Sequence, residues 1–176
     1  APIAWTSSAA WRAPARRRTE DGTIVEHPTY LFTPRCLRSR YGAFMRSSVR
    51  NTFLRAVDEF RPDIVLASWA YPDGWAATQL AREAGLPVAI KVHGSDVHSI
   101  ESDPGRLQGT REAFDGANMV IAVSDELAKR CESLGVERQR LRVVRNGVDC
   151  SRFAPGDRDA ARRELQIPQD LTLVLA

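Results

Sequence analysis

The sequence predicts an α/β fold, a mainly parallel, doubly wound sheet flanked by helices. Three observations carry that expectation. From residue 62 onward, short apolar runs alternate with amphipathic stretches. Each amphipathic stretch is long enough to be a helical crossover between parallel strands. Each apolar run also switches to polar or glycine residues at its last position, as strands ending along one sheet edge do.

The front of the chain is the less regular part. TIVEHP (23–28) fits a strand, and residues 40–60 place Phe44, Val49, Phe53 and Val57 at near-helical spacing. DIVLAS (63–68) has the length and β-branched content of a buried strand. The next stretch, PDGWAATQLAREAG, reads as a helix capped by Asp73, with Ala77, Leu80, Ala81 and Ala84 on one face and Gly85 and Pro87 as its stop. VAIKV (88–92) is the second strand. A helix over about 104–116 follows, with Leu107, Thr110 and Phe114 at helical spacing, and MVIAV (119–123) is the third strand.

Ser124 then caps SDELAKRCESLG, where Asp125 and Glu126 favour the positive end of the helix dipole. Leu127, Cys131 and Leu134 fall at i, i+4 and i+7, and Gly135 ends the helix. LRVVR (141–145) is the fourth strand. The turn-rich NGVDCSRFAPG leads to a short helix, DRDAARRELQI, and to an apolar run, LTLVLA (171–176). That run reads as the first strand of a further domain. The expected division is therefore a domain over 1–155 that lacks its first strand or strands, then a linker helix and strand over 156–176.

Composition narrows the function classes. The chain has 176 residues, 43% hydrophobic and 27% charged, with no apolar run long enough to span a bilayer. Its first residues lack the layout of a signal peptide, and no initiator methionine is present. Cys36, Cys131 and Cys150 show no CxxC spacing, which points to a reducing, cytoplasmic compartment and away from a zinc site. The net charge of +3 is uneven: residues 1–60 carry ten Arg against five acids, leaving −2 for the rest. That basic segment, Arg16–Arg18 included, suits a solvated face, a phosphorylated substrate or peripheral contact with the anionic inner face of a membrane. Nucleic acid is a poor fit, because no aromatic residues alternate with the basic ones.

Ligands of open α/β sheets bind beyond the carboxyl ends of the strands. Strand one delivers Ser68, Trp69, Tyr71, Asp73 and Gly74 there, and strand two His93, Gly94, Ser95 and Asp96. The third supplies Ser124 and Asp125, and the fourth Arg145, Asn146, Gly147 and Asp149. The result is a polar cleft with aromatic walls and helix N-termini that favour anions. No GxGxxG, P-loop or GxSxG elbow is present. His27, His93 and His98 lack a metal-ligand spacing, so no metal is expected.

Three blocks, HGSD, VIAVSDEL and VVRNGVDxxxF, occur in order within residues 62–155. With PDIVLASWAYPDGWAATQLAREAGLPVAIK ahead of them, they resemble the N-terminal half of a family 4 (group 1) glycosyltransferase. The resemblance implies a GT-B fold, in which two Rossmann-like domains face each other across a cleft. The N-terminal one holds a sugar or lipid-linked acceptor. The C-terminal one binds a nucleotide-sugar donor of UDP or GDP type, and the sugar is transferred with retention and without a metal. The resemblance also places His93 near the reacting sugar and donor phosphates, Ser124 on the cleft edge, and Asn146, Gly147 and Asp149 at the interdomain connection. The family's glycine-rich loop, its basic pair and its paired glutamates are absent, so the chain is expected to be cut at both ends and inactive alone.

Each residue also has a plainer reading. His93 fits a strand-end histidine bonded to a loop as well as a donor to a sugar hydroxyl or phosphate oxygen. Asp96 suits acceptance from sugar hydroxyls or capping of the next segment. Asn146–Gly147 suits a turn with positive φ, and Trp69 and Tyr71 suit either a sugar-stacking wall or the core. At the level of function, a non-catalytic sugar- or phosphate-binding module and another GT-B activity, a phosphorylase or sugar-nucleotide epimerase, remain beside the transferase.

Overall fold

The computed structural model describes residues 16–33, 36–98, 100 and 102–174. They form two compact units, residues 1–145 and 146–176.

The first unit opens with a hairpin. Strand β1 (Arg16–Glu20) pairs antiparallel with β2 (Thr23–His27), so part of the basic run lies in a strand. Asp21 and Gly22 join them, with φ of +47° and +79°. A two-residue hairpin loop of this type requires positive φ at both positions, which is why Asp-Gly suits it. The hairpin is tied to helix α1 (Tyr41–Phe60) through ion pairs: Arg17 meets Glu26 at 3.2 Å and Glu59 at 2.9 Å, and Arg55 meets Glu26 at 2.8 Å.

The predicted sheet is present. Strands β3 (Val65–Ser68), β4 (Val88–Val92), β5 (Met119–Ala122) and β6 (Leu141–Val143) are all parallel and lie side by side in chain order. Register places Ala67, Ile90, Val120 and Leu141 in one row across the sheet, and all four are buried. Phe114, Leu127 and Ala128 belong to the same core. The neighbouring row, Leu66, Ala89 and Met119, projects from the opposite face, where Leu66 is 62% exposed. Helices therefore cover one face of the sheet more fully than the other.

Helix α2 (Trp75–Ala84) buries Ala76, Thr78, Leu80 and Ala81, whereas Ala77 and Ala84 are only half-buried. Its start differs from expectation. Asp73 does not cap it; Gly74 occupies the N-cap position with no side-chain cap. The chain instead enters through a wide turn over Ala70–Gly74, in which Tyr71 is extended and the Gly74 N–H donates to the Trp69 carbonyl at 2.9 Å. Gly85, at φ +70°, ends the helix as predicted.

A single turn, α3 (Ser95–His98), precedes α4 (Pro104–Gly116), which has Pro at its start and is capped by Asp103 accepting from Arg106 N. Thr110 and Phe114 are buried on its inner face. Helix α5 (Asp125–Ser133) is capped by Ser124, whose Oγ accepts from Leu127 N at 3.2 Å. Leu127, Cys131 and Leu134 are buried, as their spacing requires.

In the second unit, helix α6 (Arg158–Glu164) is capped by Asp157, which accepts from Asp159 N and Ala160 N. The buried Arg162 donates to the carbonyls of Pro168, Gln169 and Leu171. Residues 171–174, where LTLVLA is expected to begin a strand of a further domain, form no strand within this chain; residues 175 and 176 lie outside the described residues.

Candidate functional site

The site is built on the ends of β3 and β4. His93 follows the last residue of β4, with its side chain exposed. Ser68 is the last residue of β3, and its Oγ lies 2.8 Å from His93 Nε2. Trp69, the next residue, stacks beside the imidazole with ring centroids 6.3 Å apart and planes 28° apart. Trp69 has φ +89° and ψ 134°, a conformation that costs a non-glycine residue on the order of 1–3 kcal/mol. Strain of this kind gathers where a side chain must be aimed, and here it aims an indole alongside a histidine.

Asp96 anchors this edge from beneath. Its carboxylate is fully buried, with Oδ2 accepting from Ala70 N at 3.1 Å and Oδ1 from His93 N at 3.0 Å and Gly94 N at 2.8 Å. One side chain thus clasps the loop after β3 to the loop after β4. Of the two readings of Asp96, recognition of sugar hydroxyls is therefore corrected: both oxygens are occupied by backbone, and burial closes them to solvent. Gly94, at φ +126°, makes the bend that turns its own N–H toward Asp96. Ser95 is exposed at the start of α3.

Tyr71 belongs to the core rather than to a sugar-stacking wall. It is 3% exposed, its hydroxyl donates to Arg38 O and accepts from Gly42 N, and its ring lies against α1 and α4. A Cβ added at Gly109 would come within 2.5 Å of that ring, so the helices approach through glycine. Gly74 is likewise structural: an added Cβ would sit 2.8 Å from the Trp69 carbonyl. Asp73 is half-buried beside them, and burial, reinforced by the charge of Asp96, raises its carboxyl above the ordinary range.

Ser124 spends its oxygen on capping α5 and remains half-buried at the end of β5. Arg145 pairs with Asp125, both being exposed. Asn146, Gly147 and Asp149 lie in the second unit. Neither Asn146 nor Gly147 has positive φ, so the expected turn is not there, and the stretch 144–149 is irregular. Asp149 accepts from the Ser151 hydroxyl at 2.6 Å and from the N–H groups of Ser151 and Arg152, bonds that lower its carboxyl below the usual range.

Ser68 is the residue that sequence reasoning placed at the edge without giving it a role. The available signal was register, since parallel strands that end together place their last side chains beside one another. Among the described residues no cluster of three or more His, Cys, Asp or Glu could hold a metal ion, and no helix is long and apolar enough to cross a membrane. A separate apolar groove of about 830 Å³ runs between the hairpin, α1 and β3, lined by Ile24, Tyr30, Val49, Phe53, Val57 and Val65 among others, and does not include His93.

Comparison with known proteins identifies the family of the chain. WcaL of Escherichia coli (strain K12), provisionally named a colanic acid biosynthesis glycosyltransferase, is 31% identical over 132 residues, 73% of this chain and 32% of that protein. The D-inositol 3-phosphate glycosyltransferase 1 of Catenulispora acidiphila is 30% identical over 185 residues, 97% of this chain and 42% of its own length. The chain thus spans between about a third and two fifths of these curated relatives. Among solved structures, the UDP-GlcNAc 2-epimerase from Methanocaldococcus jannaschii aligns with a TM-score of 0.47 and 14% identity, over 58% of this chain and 28% of the epimerase. The sequence profile of Glycosyltransferase Family 4 matches residues 5–152. The chain belongs to Glycosyltransferase Family 4.

Proposed function

We propose that this chain supplies the acceptor-side domain of a retaining, metal-independent glycosyltransferase. The enzyme moves a sugar from a UDP- or GDP-sugar to a glycan, a lipid-linked sugar or a small-molecule acceptor. A second, donor-binding domain completes the cleft, and the 176 residues alone do not turn over. Glycosyl transfer breaks the bond between the anomeric carbon and the phosphate oxygen, and the electron pair leaves with the phosphate. The acceptor oxygen takes the anomeric carbon and its proton passes to the leaving phosphate. Groups that orient the sugar and stabilise the departing diphosphate are what the protein has to provide.

The observation that carries the reading is the fixed, exposed imidazole of His93, held at a sheet edge by Ser68, Trp69 and the buried Asp96. A neutral ring in that position donates one hydrogen bond to a sugar hydroxyl or a phosphate oxygen. Gly94, Ser95 and Ser124 share its sheet edge and fit the substrate side of the cleft; Arg145, Asn146, Gly147 and Asp149 fit the connection to the donor domain. The protein is expected in the cytoplasm or against the cytoplasmic face of a membrane, where the basic segment would make the contact; Arg17 and Arg55 of that segment pair with Glu26 and Glu59.

The test is His93→Ala in the protein that carries both domains, assayed for release of nucleoside diphosphate from a panel of UDP- and GDP-sugars. A loss of at least tenfold is expected, about 1.4 kcal/mol in barrier, with the thermal midpoint little changed. Wild-type turnover in that variant would remove His93 from the mechanism.

A further inference from the structure

We infer that Ser68 is a positioning residue for His93: its hydroxyl donates to Nε2 and so keeps the proton of the neutral imidazole on Nδ1. This inference rests on the proposed role of His93 in glycosyl transfer. Ser68 closes β3 and pairs in register with Lys91, two residues before His93, so the two side chains leave adjacent parallel strands at the same edge. Their 2.8 Å separation is that of a single hydrogen bond. In a neutral imidazole one nitrogen is a donor and the other an acceptor, and the bond made by one sets the state of the other.

Three constraints act on the ring, and each removes a different freedom. Asp96 fixes the backbone at the His93 N–H, Trp69 limits the imidazole from its face, and Ser68 holds one nitrogen. Rotation about the last side-chain torsion of histidine is otherwise broad and roughly two-fold. Without Ser68 the ring could turn over and exchange a nitrogen for a carbon at the ligand side. The 2.8 Å contact accommodates either direction, and the inference takes the hydroxyl as the donor. Nδ1–H is then the group left for a ligand, and sugar hydroxyls and phosphates are rich in acceptor oxygens, which call for a donor there.

The experiment is two-dimensional long-range 1H–15N spectroscopy of the 15N-histidine-labelled protein that carries both domains, at a pH above the ordinary imidazole range. The His93 signals are identified by their loss in H93Q. Expected are the Nδ1–H tautomer in the wild type, a majority of Nε2–H in S68A, and the wild-type pattern in S68T, which keeps the hydroxyl. An Nε2–H tautomer in the wild type, an unchanged tautomer in S68A, or an S68T spectrum like that of S68A would overturn the inference. Unchanged His27 and His98 signals show that S68A has folded; were it not to fold, the wild type and S68T still decide. Because this readout needs no turnover, it stands apart from the fate of the proposed activity. In the two-domain protein, S68A is expected to lower kcat on the order of tenfold with S68T restoring it. An S68A enzyme at wild-type kcat beside a disabled H93A enzyme would likewise overturn it.

Discussion

Replacing Asp96 should separate the fold of the sheet edge from its chemistry, and the structure gives the size of the effect. In Asp96→Ala three N–H groups lose their carboxylate: Ala70, His93 and Gly94. Ala70 is fully buried, so its donor finds no water and costs about 1–3 kcal/mol. His93 is exposed and Gly94 half-buried, so water replaces the lost partner there at about 1 kcal/mol each. The sum is about 3–5 kcal/mol. Asp96→Asn keeps one carbonyl oxygen, which can stay on His93 and Gly94 while the amide nitrogen faces the Ala70 N–H. Only that one bond is lost, and about 1.5–3 kcal/mol is expected. Urea unfolding followed by tryptophan fluorescence measures both values, and amide exchange locates the damage. In Asp96→Asn the Ala70 amide should lose protection while the Gly94 amide keeps it. A wild-type midpoint for Asp96→Asn, or less than about 1 kcal/mol for Asp96→Ala, would show that the clasp between the two loops does not hold the edge together.

Two further outcomes follow from buried titratable groups. Burial raises the Asp73 carboxyl, so the folded state binds a proton more readily there than the unfolded chain does. Stability from this group is present below the ordinary carboxylate range and is lost as pH rises through the higher folded value. Asp73→Asn should therefore raise the unfolding midpoint at neutral pH, with the gain disappearing in acid; an equal gain at both pH values would refute burial as the cause. Burial, with the nearby Asp96 charge, also pushes the Cys131 thiol up to about 12, whereas Cys36 and Cys150 are exposed. A disulfide reagent near pH 8 should consume two thiols at once and the third only in denaturant; three fast thiols would contradict the packing of α5.

The parts of the fold legible in the sequence are those decided locally. Val88–Val92 is apolar enough to be buried on both sides, and Ser124 caps α5 with the residue type and spacing that a cap requires. Asp21–Gly22 is an equally local turn signal that goes unread because the basic run before it lacks strand composition; the turn closes the hairpin that makes Arg16–Glu20 a strand. Other features depended on partners remote in sequence. Tyr71 follows a strand, as a ligand-stacking aromatic would, and it is partners 29 to 38 residues away, Arg38, Gly42 and Gly109, that make it part of the core. Leu171–Val174 has the composition of a strand, but a strand exists only with a neighbour, and among the described residues no strand pairs with it.

The same distinction divides the candidate site. HGSD contains a polar cluster at a strand end, and nothing in those four residues says which side chain faces out. Asp96 is drawn inward because two loops end with unpaired N–H groups that a buried carboxylate can satisfy together. His93 is left outward because Asp96 takes its backbone, while Ser68 and Trp69 arrive from the adjacent strand to hold its ring. The acid and the histidine three residues before it therefore divide the work: Asp96 builds the edge, and His93 is the group the edge presents.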